Sequence, residues 1–147
     1  MSPAVAPGEA LVVDASVALK WVVEEEGSEA ALALRGRDLA APSLMRVEAA
    51  NALRTLAARR AIAPAVALDL LGLLQEAPVA LVEPDDALER RALEVALDLA
   101  HPVYDCLYLA LAERMGRVLV TADGRLLRAV RATAHAARVV ALDVGDP

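Results

Sequence analysis

Short apolar runs alternate with stretches of helical periodicity along most of the chain. Leu11–Val13, Val79–Val82, Val118–Val120 and Val139–Leu142 are brief, β-branched and apolar on both faces. That is the pattern of strands buried between two layers of helix. A fifth run, Leu39–Ala41, is shorter and stops at Pro42. Between the runs, the spacing predicts helices. In Ser43–Arg60 the residues Met45, Ala49, Ala52, Leu53 and Leu56 fall on one stripe. Pro64 suits the first turn of a following helix running towards Glu76. Asp86–Leu99, with Arg90 and Arg91 outward, Tyr104–Met115 and Gly124–Ala134 complete the set. Ser16 is expected to cap a helical stretch through Val23. The alternation predicts an α/β fold, a small parallel β-sheet flanked by helices on both faces. Residues 1–9, MSPAVAPGE, read as a lead-in, and residues 10–147 as a single domain large enough for a buried core.

Composition narrows the picture. Apolar residues make up 58% of the chain, which argues against disorder, and aromatics only 2%, so the core must be aliphatic. The longest apolar stretch, Ala61–Leu74, is interrupted by Pro64 and Asp69 and is too short to span a bilayer. No Lys or Arg precedes Lys20, so a secretory leader is not expected. No membrane association is therefore expected, and the single Cys106 cannot form an internal disulfide, which agrees with a reducing, cytoplasmic location. The net charge of −6 counts against a generic binder of phosphate backbones. That objection weakens if several of the acids are gathered at one point.

Four acids invite that reading. Asp14 directly follows Leu11-Val12-Val13, and Asp123 closes Val118-Leu119-Val120-Thr121-Ala122. Both should lie at carboxyl ends of strands, where open α/β sheets bind ligands. Glu48 stands at the margin of a helical apolar stripe, where burial is costly without compensation. Asp105 opens a helix. Each has a plain structural explanation: a turn, a rim carboxylate, a helix-dipole partner, an Asp-Gly N-cap. Together, in a parallel sheet, they converge on one edge. Close carboxylates would repel by roughly 4 kcal/mol per pair at an effective dielectric near 20. A hard cation such as Mg²⁺ or Mn²⁺ would relieve that repulsion.

Val13-Asp14-Ala15-Ser16-Val17, Glu48-Ala49-Ala50-Asn51-Ala52-Leu53, Tyr104-Asp105-Cys106-Leu107-Tyr108-Leu109-Ala110 and Thr121-Ala122-Asp123 together resemble the PIN-domain ribonucleases, and within them the VapC-type toxins of toxin–antitoxin pairs. The resemblance spans essentially the whole chain. It implies a single PIN-like domain that hydrolyses RNA endonucleolytically with Mg²⁺ or Mn²⁺, a homodimer, and inhibition by a small antitoxin (VapB-like). It carries the catalytic and metal-binding roles to Asp14, Glu48, Asp105 and Asp123. Supporting polar roles pass to Ser16, Asn51 and Thr121. Cys106 stands where the motif more often has a small residue such as Ala, a packing variation. The alternative is an inactive PIN-like module that binds RNA or protein.

Other features add little. Arg125, Arg128 and Arg131 recur every three residues, as on a solvated helix face or a phosphate-steering one. Trp21, Tyr104 and Tyr108 are too few for an obvious base-stacking platform, and His101 and His135 lack metal-ligand spacing. A phospho-acceptor receiver would need a Lys at a late strand end, whereas Lys20 is the only Lys. An Asp-nucleophile phosphatase would have a second acid where Ser16 stands. The high apolar fraction predicts that helix faces in Ser43–Glu76 pair two copies.

Overall fold

The computed structural model describes residues 5–142, so the first four residues of the lead-in and the last five of the chain lie outside the described residues. The elements in chain order are β1 (Leu11–Val13), α1 (Ala15–Leu19), α2 (Ser28–Leu32), β2 (Leu39–Pro42), α3 (Leu44–Ala58) and α4 (Pro64–Gln75). Then come β3 (Ala80–Val82), α5 (Asp86–Leu99), α6 (Val103–Met115), β4 (Val118–Thr121), α7 (Gly124–Val130), a 3₁₀ turn (Ala134–Arg138) and β5 (Val139–Ala141). All five strands run parallel in the order β3-β2-β1-β4-β5.

That order follows from the connections. The chain steps outward from β1 to β2 to β3, then crosses back to place β4 on the other side of β1. Right-handed crossovers in opposite directions set their helices on opposite faces of the sheet. The crevice where the direction reverses lies between the carboxyl ends of β1 and β4. Ligands of open α/β sheets bind at such a point.

The core justifies the strand reading. Leu11, Val12 and Val13 are wholly buried, as Val/Leu-rich central strands must be when both faces are covered. Helix α6 is buried from Cys106 through Ala112, the mark of a helix enclosed on all sides, and it packs on β1, β2, β4 and α5. Gly116 ends α6 in the left-handed region at φ 65°, where the Arg117 amide donates back to the Ala112 carbonyl. This closure turns the chain directly into β4.

Three local expectations are corrected. Ser16 is not the cap of α1: Asp14 is, because its carboxylate accepts from the Val17 amide, and the helix ends at Leu19 rather than Val23. Helix α7 stops at Val130, where Ala132 adopts a positive φ of 62° and Thr133 caps a separate 3₁₀ turn. Helix α2 was not expected. Residues 5–9 of the lead-in form no strand or helix, yet the Arg37 guanidinium donates to the carbonyls of Glu9 and Ala6. Among the described residues no single helix is long and apolar enough to cross a membrane.

Candidate active site

Asp14 is the centre of the site. It leaves β1 at the switch point and is only 6% exposed. Its carboxylate accepts from the Val17 amide at 3.2 Å, from the Ser16 hydroxyl at 2.5 Å and from the Thr121 hydroxyl. Both hydroxyls also accept backbone hydrogen bonds from the loop leaving β4. The Ala122 amide donates to Ser16 Oγ at 2.9 Å, and the Asp123 amide to Thr121 Oγ1 at 3.0 Å. Two short relays thus tie the ends of β1 and β4 together through one carboxylate. Burial nevertheless dominates, pushing the Asp14 pKa up to about 6 against the pull of these hydrogen bonds, with Asp105 adding like-charge repulsion.

Three further acids share the cleft. Glu48, in the second turn of α3, is half-buried and accepts from the Tyr108 hydroxyl of α6 at 2.6 Å. Its pKa is raised, first by burial and then by the negative charges of Asp105, Asp14 and Asp123, while the Tyr108 hydrogen bond opposes the shift. The Tyr108 hydroxyl is itself pushed up, by burial first and by Glu48 next, and so remains a donor. Asp105 sits in the first turn of α6, with Oδ2 2.7 Å from His101 Nε2. Asp123 caps α7 by accepting from the Arg125 amide at 2.9 Å.

Asp14, Glu48, Asp105 and Asp123 line one open cleft of about 340 Å³, with Ser16, Tyr108 and Ala52 in its walls. Of the sequence-predicted supporting residues, Ser16 and Thr121 bond to Asp14. Asn51 does not join them: it is exposed on α3, and its backbone carbonyl accepts from the Thr55 hydroxyl. Cys106 is buried, and burial pushes its thiol up to about 11, an inert packing residue.

Two site residues escaped the sequence reading. Tyr108 lies three residues after Asp105 on α6, on the same helix face, so its spacing was informative. His101 lies four before Asp105, but Pro102 caps the helix and leaves His101 outside it. The signal there was hidden by the helix boundary.

The donor set suits a hard divalent cation. Every ligand candidate is a carboxylate oxygen, the chemistry that Mg²⁺ and Mn²⁺ prefer. Among the described residues no three acidic, histidine or cysteine side chains stand close enough to hold one ion together. Mg²⁺ characteristically keeps several waters and takes only one or two carboxylates directly, and the four acids that line the cleft could supply those.

The comparisons with known proteins agree with this geometry. The chain is 34% identical over 117 residues to Ribonuclease VapC12 of two strains of Mycobacterium tuberculosis, an alignment covering 79% of this chain and 88% of that protein. Its fold matches that of PAE2754 from Pyrobaculum aerophilum with a TM-score of 0.66 at 26% identity, over 91% of each chain. A chain of a toxin–antitoxin complex from Klebsiella pneumoniae shares the fold at a TM-score of 0.66 and 11% identity, over 94% of this chain and all of that one. The family model of the PIN domain matches residues 11–132. With most of its length matched in sequence, and a sheet whose reversal point gathers the acids, the chain belongs to the PIN-domain family.

Proposed function

We propose that the protein is a divalent-metal-dependent endoribonuclease, the toxin of a toxin–antitoxin pair, hydrolysing RNA at the cleft of Asp14, Glu48, Asp105 and Asp123. The observation that carries this reading is the convergence of four carboxylates on one cleft, close enough that Glu48 feels the charge of the other three. The likeness to a ribonuclease over most of the chain supports the RNA substrate.

A Mg²⁺ or Mn²⁺ ion held by these carboxylates would supply positive charge that acidifies water and stabilises charge building on the phosphate. The chain's own residues set up the rest. Asp14 is fixed by Ser16, Thr121 and the Val17 amide, so its oxygens do not reorient as charge develops. Tyr108 holds Glu48, and His101 holds Asp105. Asp105 or Asp123 accepts the proton of the attacking water. The water oxygen bonds to phosphorus, the bond from phosphorus to the 3′ oxygen breaks, and that oxygen takes up a proton. Cleavage therefore leaves a 5′-phosphate and a 3′-hydroxyl. Arg125 and Arg128 on α7 and Arg131 just after it are exposed and, among the described residues, form no salt bridge. They are free to draw the backbone towards Asp123 despite the overall negative charge.

Partners follow the same reading. Helices α3 and α4 leave Val47, Val66, Leu68 and Leu73 exposed, apolar surface suited to a second copy of the chain or to the antitoxin. A cytoplasmic location follows from an RNA target. An inactive interaction module is the competing reading. A labelled RNA incubated with the protein distinguishes them. Fragments with 3′-hydroxyl ends, formed with Mg²⁺ or Mn²⁺, absent with chelator and absent for Asp14→Asn, are expected. An uncut RNA, or cyclic-phosphate ends that form regardless of metal, would reject the proposal.

A further inference from the structure

A second hollow, of about 350 Å³, opens on the same edge of the sheet, further along towards β3. Its walls start where two strands end: Ser43 follows β2 and Glu83 follows β3, with the Ser43 amide donating to the Val82 carbonyl. The floor is apolar, from Leu44, Ala92 and Leu107. Tyr104 stands at its side, 64% exposed, one residue before Asp105 of the acidic cleft. The first turn of α6 is therefore a shared wall, with one hollow on each side. Strand spacing puts their centres about 10 Å apart, two strands along the edge.

We infer that this second hollow is a nucleobase subsite, where a base next to the scissile phosphate stacks on Tyr104 and presents its pairing edge to Glu83. The inference rests on reading the acidic cleft as a ribonuclease centre. The chemistry of the lining selects the occupant. Glu83 and Glu89 border the hollow and form no salt bridge among the described residues, so a phosphate is repelled. An exposed phenol ring beside an aliphatic floor suits a flat aromatic group, and stacking of this kind holds single-stranded bases. Ser43 donates to Glu83 Oε2 at 2.9 Å, which orients that carboxylate and leaves Oε1 free to accept. A carboxylate acceptor favours bases that present N–H donors. Guanine offers two adjacent donors, cytosine and adenine an amino group, while uracil offers a single N–H flanked by two carbonyls that the carboxylate repels. The phosphates then pass over the α6 turn to the acidic cleft and on towards the free arginines of α7. Bases and backbone would sort to opposite ends of one edge.

The test measures binding separately from cleavage. Asp14→Asn protein, with Ca²⁺ present, is titrated with short labelled single-stranded RNAs that differ at one position. Adding Tyr104→Ala should weaken binding roughly tenfold to a hundredfold, while Tyr104→Phe should keep it. Glu83→Gln should reduce the preference for guanine over uracil with little change in overall affinity. In the otherwise wild-type chain, Tyr104→Ala should raise KM much more than it lowers kcat. Unchanged RNA affinity and unchanged base preference in Tyr104→Ala and Glu83→Gln would overturn the subsite while leaving the ribonuclease reading intact. A Tyr104→Ala protein that binds RNA normally but loses self-association or protein-partner binding would assign the hollow to a protein interface instead. No RNA binding and no cleavage by any form would overturn both readings together.

Discussion

The acidic cleft and the α3–α4 hairpin are opposite solutions to the same problem. In the cleft, a buried charge and three partly buried ones are gathered, and each is held by a neighbour: Asp14 by three donors, Glu48 by Tyr108, Asp105 by His101. On the hairpin, apolar groups lie where water is plentiful. Helix α4 buries only Leu74 of its twelve residues, while Leu68 is 72% and Leu73 56% exposed. Neither surface gains much from the fold of one chain alone. The first is relieved by positive charge, the second by another apolar surface. Substitutions should therefore act differently on the two: neutralising the buried acid of the cleft should lose function and gain metal-free stability, while charging the hairpin should lose assembly and leave the fold of the single chain unchanged.

The largest expected effect is at Asp14. Asp14→Asn should lower RNA cleavage by more than about a hundredfold, beyond the usual cost of losing a supporting contact. The same change should make the metal-free protein more stable, because it removes a buried charge. The pH dependence sharpens the point. Between its unfolded value near 3.8 and its folded value of about 6, Asp14 holds a proton in the folded state that the unfolded chain has released. Metal-free stability then falls as pH rises through that window, and the cost is complete above it. Denaturant unfolding from pH 4 to pH 7 should show a decline of about 2 kcal/mol in the wild type relative to Asp14→Asn. Parallel curves for the two proteins would mean that Asp14 is not the strained group.

A smaller effect is expected at Tyr108→Phe, which keeps the ring in the core and removes only the donor to Glu48. Metal affinity and cleavage should fall about tenfold, with a stability loss of about 1 kcal/mol. A titration of Mn²⁺ by calorimetry, read beside the unfolding curve, separates these. The smallest stability effect belongs to the hairpin. Leu68→Glu combined with Leu73→Glu should shift the unfolding of the unassembled chain by no more than about 0.5 kcal/mol, as exposed positions do. Light scattering or partner binding should nevertheless register the change. A large loss of stability would mean that the face is folded against something within the chain.

The strands were legible because β-branched apolar runs at parallel-sheet positions leave few alternatives; even the weak Leu39–Ala41 run pairs with β1 and β3. The α/β class followed. Helix α2 was not legible: its five residues, SEAAL, carry too little periodicity, and it starts from Gly27 at φ 88°. The cap of α1 was misread because Asp14 and Ser16 are both good caps, and only the fold decides which one turns back. In the site, Asp14 and Asp123 were readable from their place after strands. Asn51 stands outside the cleft lining, because helical spacing gives a neighbour of Glu48 but not the side of the helix that faces the cleft. The bond from Tyr108 to Glu48 spans two helices far apart in sequence, and no local pattern encodes it.

The central claim is that the cleft shared by the four acids binds a divalent cation, and metal-linked melting tests it most directly. At pH 7 the wild-type melting temperature should climb with Mg²⁺ or Mn²⁺, equivalent to about 2.7 kcal/mol at a hundredfold excess over the dissociation constant. Asp14→Asn should start higher without metal and gain much less from it. A wild-type curve indifferent to millimolar metal, or a variant that gains as much as the wild type, would contradict the account.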